Sequence, residues 1–176
     1  DIVLGAVSNE MAKRFAPAIQ DSGAVFIDNS SAFRLREDVP LVVPEINPED
    51  AFQHHGIVAN PNCSTIITMV ALGGIRRLTA IDKMVACTYQ AVSGAGQQGI
   101  TELQDQLRAV TQGEPVQPHV FPCQIVSNVI PQIGSECDNG YTTEEMKMQN
   151  EGRKIMHLPE LRVCCTCVRV PVMRSH

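Results

Sequence analysis

The chain has no excess of basic residues. Fourteen lysines and arginines stand against 19 aspartates and glutamates, and the formal net charge of -5 offers none of the positive field by which proteins hold nucleic acid. It has no uninterrupted apolar run near the ~18 residues of a membrane span, and neither a membrane anchor nor a signal peptide is expected. Internal repeats and low-complexity segments are absent. Metal-ligand spacing is absent too. Cys164, Cys165 and Cys167 fall in one strand-like run, where a zinc site wants C-x2-4-C pairs on turns. Along a strand Cys165 and Cys167 share one face and Cys164 takes the other, which reads as core packing. Cys87, Cys123 and Cys137 show no ligand spacing either. These absences leave a small-molecule site as the place to look for function, with no nucleic acid, membrane or metal expected.

What is present suits a folded core. Of the 176 residues, 44% are hydrophobic and 19% charged, which fits one ordinary domain, or two small parts sharing a core, and not a disordered chain. Seven cysteines are an odd number in a chain with ample apolar residues, so reduced thiols in the cytoplasm are expected over a disulfide framework. The chain starts on the strand-like run IVL and stops just past another, so it reads as an internal fragment.

The pattern of elements changes midway. IVLGAV reads as a buried strand, SNEMAKRFAPAIQ as a helix with Ser8 as N-cap, and VFIDN as a second strand. LVVPEIN is a short extended run, PEDAFQ a helical turn, IVAN another strand, and a helix follows from Cys63 to about Leu78. This alternation predicts a parallel α/β sheet. From Ile81 the strand-like runs lengthen: KMVACTYQAV, QIVSNVIPQIG and LRVCCTCVRVPV, separated by the helices GITELQDQLRAV and TTEEMKMQNEGRKIMH. This predicts an α+β half with a mostly antiparallel sheet. PVQPHVFP is a Pro-rich loop.

Two motifs carry chemistry. Gly94-Ala95-Gly96-Gln97-Gln98-Gly99 matches the dinucleotide pattern G-x-G-x-x-G. That fingerprint should lead through its helix to a second parallel strand, whereas this helix runs into TQGEPVQPHVFP, so the match is not read as a pyrophosphate loop. Its third glycine is read as incidental to the helix start. Asn60-Pro61-Asn62-Cys63-Ser64-Thr65 lies between the strand IVAN and an apolar helix. It puts Cys63 at a helix N-terminus, where unpaired N–H groups and the helix dipole favour a thiolate. From the residues alone, Cys63 is either a nucleophile or a small buried core residue.

AFRLREDVPLVVPEINPED, GIVANPNCST, TYQAVSGAG, EEMKMQNEGRKI and CVRVPVMRSH occur in the order found in aspartate-β-semialdehyde dehydrogenases, and across essentially its whole length the chain resembles that family. The resemblance implies a fold: the end of a Rossmann-like parallel-sheet NADP-binding domain, residues 1–63, followed by an α+β catalytic and dimerisation domain, residues 64–176. It implies an activity: NADP-dependent conversion of 4-phospho-L-aspartate to L-aspartate 4-semialdehyde, serving lysine, methionine and threonine synthesis. It also implies roles. Cys63 is the nucleophile that forms a thioacyl-enzyme, and His176, seven residues after Arg169, is the general acid/base. Arg169 binds the substrate carboxylate, Gln90 orients the substrate, and Glu151 binds its α-ammonium group. Arg34 and Lys154 hold phosphate, and Ser93 and Gly94 touch the nicotinamide end of NADP. The glycine-rich pyrophosphate loop is expected before Asp1, and a homodimer or dimer of dimers is implied.

The chain departs from the family after IVLGAV. Members commonly carry a Ser-Ala-Gly-Gly type turn there, and this chain has Gly5-Ala6-Val7-Ser8-Asn9. N-acetyl-glutamyl-phosphate reductase is an alternative of similar fold and chemistry, although its cysteine usually sits in P-G-C-Y. Another alternative is a non-catalytic remnant that keeps a dimer surface. Glyceraldehyde-3-phosphate dehydrogenase would show Cys-Thr-Thr-Asn, which is absent.

Overall fold

The computed structural model describes residues 1–174. They fall into two units, Asp1–Met84 with Met146–Cys164, and Val85–Glu145 with the segment from Cys165 onward.

The first unit is built on three parallel strands, β1 (Ile2–Gly5), β2 (Val25–Asp28) and β3 (Ile57–Ala59), in the order β1-β2-β3. Ile2 lies opposite Val25, and Phe26 opposite Ile57. Short β-branched runs favour these strands, and helix α1 (Asn9–Asp21) provides the crossover that parallel pairing demands. Ser8 caps α1 as expected, its hydroxyl accepting the Met11 N–H at 3.4 Å. The helix buries Ala12 and Ala16, whose small side chains allow close approach to the sheet. Phe26 on the middle strand is buried and meets Phe33 edge-on, with ring centroids 6.4 Å apart. Burying such a side chain is worth about 1.5–3 kcal/mol.

Helix α2 (Cys63–Arg76) starts a few residues after β3, and the second part of helix α4 (Thr143–Ile155) adds Met148 and Ile155 to the buried set, with Met156 just beyond its end. Fully buried Asp28 ends β2 and accepts from the Ser30 backbone and hydroxyl, which turns the chain at the carboxyl edge of the sheet. In parallel sheets that edge is where ligands bind.

In the second unit, β4 (Lys83–Gln90) and β5 (Arg162–Arg169) pair, and the unit boundary falls within both strands. Near one end the Arg162 N–H donates to the Asp82 carbonyl, and near the other the Val170 N–H donates to the Gln90 carbonyl. The sequence offset is the same at both ends, so the strands run parallel, against the antiparallel sheet expected. An antiparallel bridge joins Ile130 to Arg169.

The run QIVSNVIPQIG is irregular and not a strand; only Ile130 within it pairs. Its backbone donors find another outlet, since the N–H groups of Ile125 and Val126 donate to Gln106 Oε1 at 2.9 and 3.0 Å. Gln106 lies on helix α3 (Gly96–Gln112), which follows a 3-10 turn at Val92–Ala95. Val92, Ile100, Leu103, Ile125, Val126 and Ile130 form this unit's core. Thr142 and Glu145 start α4 with reciprocal bonds: the Thr142 N–H donates to Glu145 Oε2, and the Glu145 N–H to Thr142 Oγ1.

Candidate active site

Cys63 is the first residue of α2 and is exposed, at the carboxyl end of β3. It is therefore not a core cysteine. Its Sγ lies 3.5 Å from Asn62 Oδ1. The loop before it is held from below by a buried pair of opposite charges. Glu151, 1% exposed, accepts the Asn62 N–H on Oε2 at 2.7 Å, and Arg34 Nη1 on Oε1 at 3.1 Å. Arg34 also donates from Nε to the Asn60 carbonyl at 2.9 Å and from Nη2 to the Asn29 carbonyl at 2.8 Å. The planar fork of arginine suits this task, because three donors on one rigid plane reach two loops and a carboxylate at once.

Lys154, one turn beyond Glu151 on α4, sends Nζ to three carbonyls. Those of Arg34, Arg36 and Val39 lie at 2.9, 2.5 and 2.7 Å. Partial burial pulls its pKa below the usual lysine range, while Asp38, Asp50 and Glu37 act in the opposite direction. Sequence reading expected phosphate on Arg34 and Lys154 and an ammonium group on Glu151. The structure brings the three together, with Glu151 and Arg34 on the loop before Cys63 and Lys154 on the carbonyl of Arg34, but here their polar atoms are engaged with one another and with the backbone.

The second unit gathers the other expected residues. Gln90, at the end of β4, donates to Glu144 Oε1 at 3.2 Å and accepts from Thr88 Oγ1 at 2.8 Å. Arg169, at the end of β5, is 6% exposed and donates to the Ala91 carbonyl at 2.6 Å. It reaches a cavity of about 540 Å³ that His119, Phe121 and Ile133 also line.

Ser93 and Gly94 lie in the turn between β4 and α3. A Cβ on Gly94 would come within 2.7 Å of Arg169 Nη1, so glycine there leaves room for the guanidinium. Gly99 corrects another expectation. A Cβ there would lie 2.5 Å from the Val92 carbonyl, so the third glycine of GAGQQG is required for α3 to pack on the preceding turn. His176 lies outside the described residues.

Cys165 and Cys167 are buried on one face of β5, as the alternation predicted, with sulfurs 3.5 Å apart. The hydrogen bond with Cys167, and burial, push the Cys165 thiol well up, which makes it a poor nucleophile. Among the described residues no His, Cys, Asp and Glu group could hold a metal, and no helix is long and apolar enough to cross a membrane.

Three positions escaped the sequence reading. Asn62 supplies both the N–H that Glu151 holds and a side-chain neighbour of Cys63. An Asn directly before an apolar helix is an N-cap signal, and it pointed there. His119 and Phe121 line the Arg169 cavity from a Pro-rich loop, and nothing local marked them.

An exposed cysteine where a parallel strand gives way to a helix, with buried charges bracing its loop, is a candidate nucleophile seat in an α/β fold, and the comparisons give the family. Residues 72–176 match the family model "Semialdehyde dehydrogenase, dimerisation domain", and residues 1–54 match "Semialdehyde dehydrogenase, NAD binding domain". The chain belongs to the semialdehyde dehydrogenase family.

It is similar to the aspartate-semialdehyde dehydrogenase of Bacillus subtilis, 47% identical over 183 residues, with 100% of this chain and 53% of that protein covered. It is also similar to aspartate-semialdehyde dehydrogenase 2 of Vibrio cholerae, 48% identical over 177 residues, covering 99% of this chain and 52% of that protein. The crystal structure of aspartate semialdehyde dehydrogenase II from Vibrio cholerae superposes with a TM-score of 0.95 at 47% identity, covering 97% of this chain and 52% of that one. The chain thus spans about half the length of the relatives it matches. A Candida albicans aspartate semialdehyde dehydrogenase, solved with NADP, is 23% identical with a TM-score of 0.68 and shares the fold.

Proposed function

We propose that the chain carries the catalytic half of an enzyme that reduces 4-phospho-L-aspartate to L-aspartate 4-semialdehyde with NADPH, in the cytoplasmic synthesis of lysine, methionine and threonine. The observation that supports this most is the seat of Cys63: exposed, first in its helix, on a loop tied down by Glu151 and Arg34. On this reading residues 1–63 close a nucleotide-binding domain, and 64–176 belong to the catalytic and dimerisation domain.

In the proposed reaction His176 takes the thiol proton. The Cys63 thiolate attacks the acyl carbon, the carbon–oxygen bond to phosphate breaks, and phosphate departs with the electron pair, leaving a thioester on Cys63. Arg34 and Lys154 neutralise the departing charge, which requires Lys154 to exchange carbonyl acceptors for phosphate oxygens. Arg169 takes the substrate carboxylate and Gln90 orients the acyl group. Each Glu151 oxygen accepts one hydrogen bond and has capacity for a second, from the substrate ammonium.

Of the residues present, Ser93 and Gly94 would hold the nicotinamide end of the cofactor. The turn after β1 is not glycine-rich and carries the exposed Val7, so it does not fit a pyrophosphate. NADPH, when bound, supplies the hydride that reduces the thioester. A homodimer, or a dimer of dimers, would use the outward face of β4, where Val85 and Tyr89 are 72% and 74% exposed.

Joining the chain to the remaining half of the Bacillus subtilis relative tests the proposal. The hybrid should oxidise NADPH in the presence of 4-phospho-L-aspartate. A hybrid that folds and binds NADPH, yet leaves the acyl phosphate intact, would overturn it.

A further inference from the structure

Two buried polar side chains on α3 are used by none of the proposed chemistry. Glu102 and Gln106 stand one helical turn apart, 5% and 2% exposed. The Glu102 carboxylate accepts the backbone N–H groups of His119 at 3.0 Å, Val120, and Phe121 at 3.4 Å, and also the Gln106 side-chain amide at 3.0 Å. Gln106 in turn accepts the N–H groups of Ile125 and Val126. A segment with no helix or strand of its own thus has five backbone donors closed by two side chains. Three N–H groups converging on one point call for a carboxylate, because a glutamine would turn an NH2 group toward other donors.

The segment so held is a wall of the cavity at Arg169. His119 and Phe121 face that cavity with Arg169 and Ile133. Phe121 also closes on α3, where a Cβ at Gly99 would lie 3.2 Å from its ring edge.

We propose that Glu102 is a positioning residue. Acting with Gln106, it fixes the His119–Phe121 wall beside Arg169, so that the cavity takes a small carboxylate-bearing substrate in one pose. This rests on the reading of Arg169 as the substrate-carboxylate arginine.

The experiment combines amide hydrogen exchange with ligand titration on the 176-residue chain. In the wild type, the amides of His119, Val120 and Phe121 should be protected although they lie outside regular structure. Exchange at the free-peptide rate would overturn the proposal without any variant. In Glu102→Gln these three amides should exchange at least tenfold faster, while α1 and β2 amides stay unchanged. The Kd for aspartate semialdehyde, followed by NMR shifts, should rise five- to tenfold, while that for inorganic phosphate stays within twofold. If Glu102→Gln does not fold, Gln106→Met, which deletes the second anchor, should give the same pattern at smaller size. Faster exchange with an unchanged semialdehyde Kd would sink the positioning role alone. A wild-type chain with protected loop amides but no semialdehyde-dependent shift around Arg169 would remove the substrate reading, and the positioning role with it.

Discussion

Glu151→Gln removes one charge from the pair beneath the Cys63 loop. The native carboxylate is almost fully buried, 3.1 Å from Arg34 Nη1 and 2.7 Å from the Asn62 nitrogen. Losing one partner of a buried ion pair costs about 3–5 kcal/mol. Two features soften the loss here. Arg34 keeps its bonds to the Asn60 and Asn29 carbonyls, and glutamine keeps one acceptor oxygen. The new NH2 must nevertheless face either the guanidinium or the Asn62 N–H, both of them donors.

The expected cost is about 2–3 kcal/mol, less than the full loss of a buried partner. At roughly 2–4 °C per kcal/mol for a chain of this length, Tm should fall by about 4–12 °C. Arg34→Met leaves the carboxylate uncompensated and should cost at least as much. The double change Arg34→Met with Glu151→Leu removes both charges and should cost less than the sum of Arg34→Met and Glu151→Leu alone. Thermal unfolding followed by circular dichroism is the assay. Single variants that each melt within about 1 °C of wild type, or a strictly additive double change, would refute the bracing role.

In the hybrid enzyme, Cys63→Ser should abolish turnover, whereas Cys165→Ser should leave it largely intact and lower Tm; the reverse would misplace the nucleophile. With iodoacetamide, Cys63 should be alkylated well before Cys165, whose thiol is buried and pushed up by its hydrogen bond with Cys167; peptide mapping at short times gives the order. Tyr89→Asp on the exposed face of β4 should shift the chain toward monomer in sedimentation velocity, and an unchanged profile would argue that the dimer uses another face. The Arg36 guanidinium, hydrogen-bonded to Asp38, holds that exposed carboxyl below the usual aspartate range. The pair's small contribution is therefore present above that range and fades as pH falls through the folded value. In Arg36→Gln an NMR titration should find Asp38 back near the ordinary aspartate midpoint, and an unmoved midpoint would count against the pairing.

The parts of the fold that could be read in sequence are those set by local chemistry. Ser8 before α1 is a cap signal, the strand-to-helix turn placed Cys63 at the start of α2, and the short β-branched runs between helices announced β1 to β3. The segment QIVSNVIPQIG alternates like a strand, but the N–H groups of Ile125 and Val126 are met by Gln106, a side chain about twenty residues away, and no local pattern records that. The direction of β5 against β4 is likewise fixed by long-range pairing. At the site, Cys63 stood out because a thiol at a helix start has a physical reason to be there. The Arg34–Glu151 pair did not, since its partners are far apart in sequence. The resemblance named both residues, but no local pattern marks Glu151 as buried, and only packing shows it.

In the proposed reaction Cys63 and the acyl group form a covalent bond, with phosphate released before any reduction. Incubating the hybrid with 4-phospho-L-aspartate without NADPH, then digesting it for mass spectrometry, tests this directly. The expected product is an aspartyl thioester on the peptide bearing Cys63, formed with a stoichiometric burst of inorganic phosphate and absent in Cys63→Ser. An adduct on any other cysteine, or no phosphate release before NADPH is added, would contradict it.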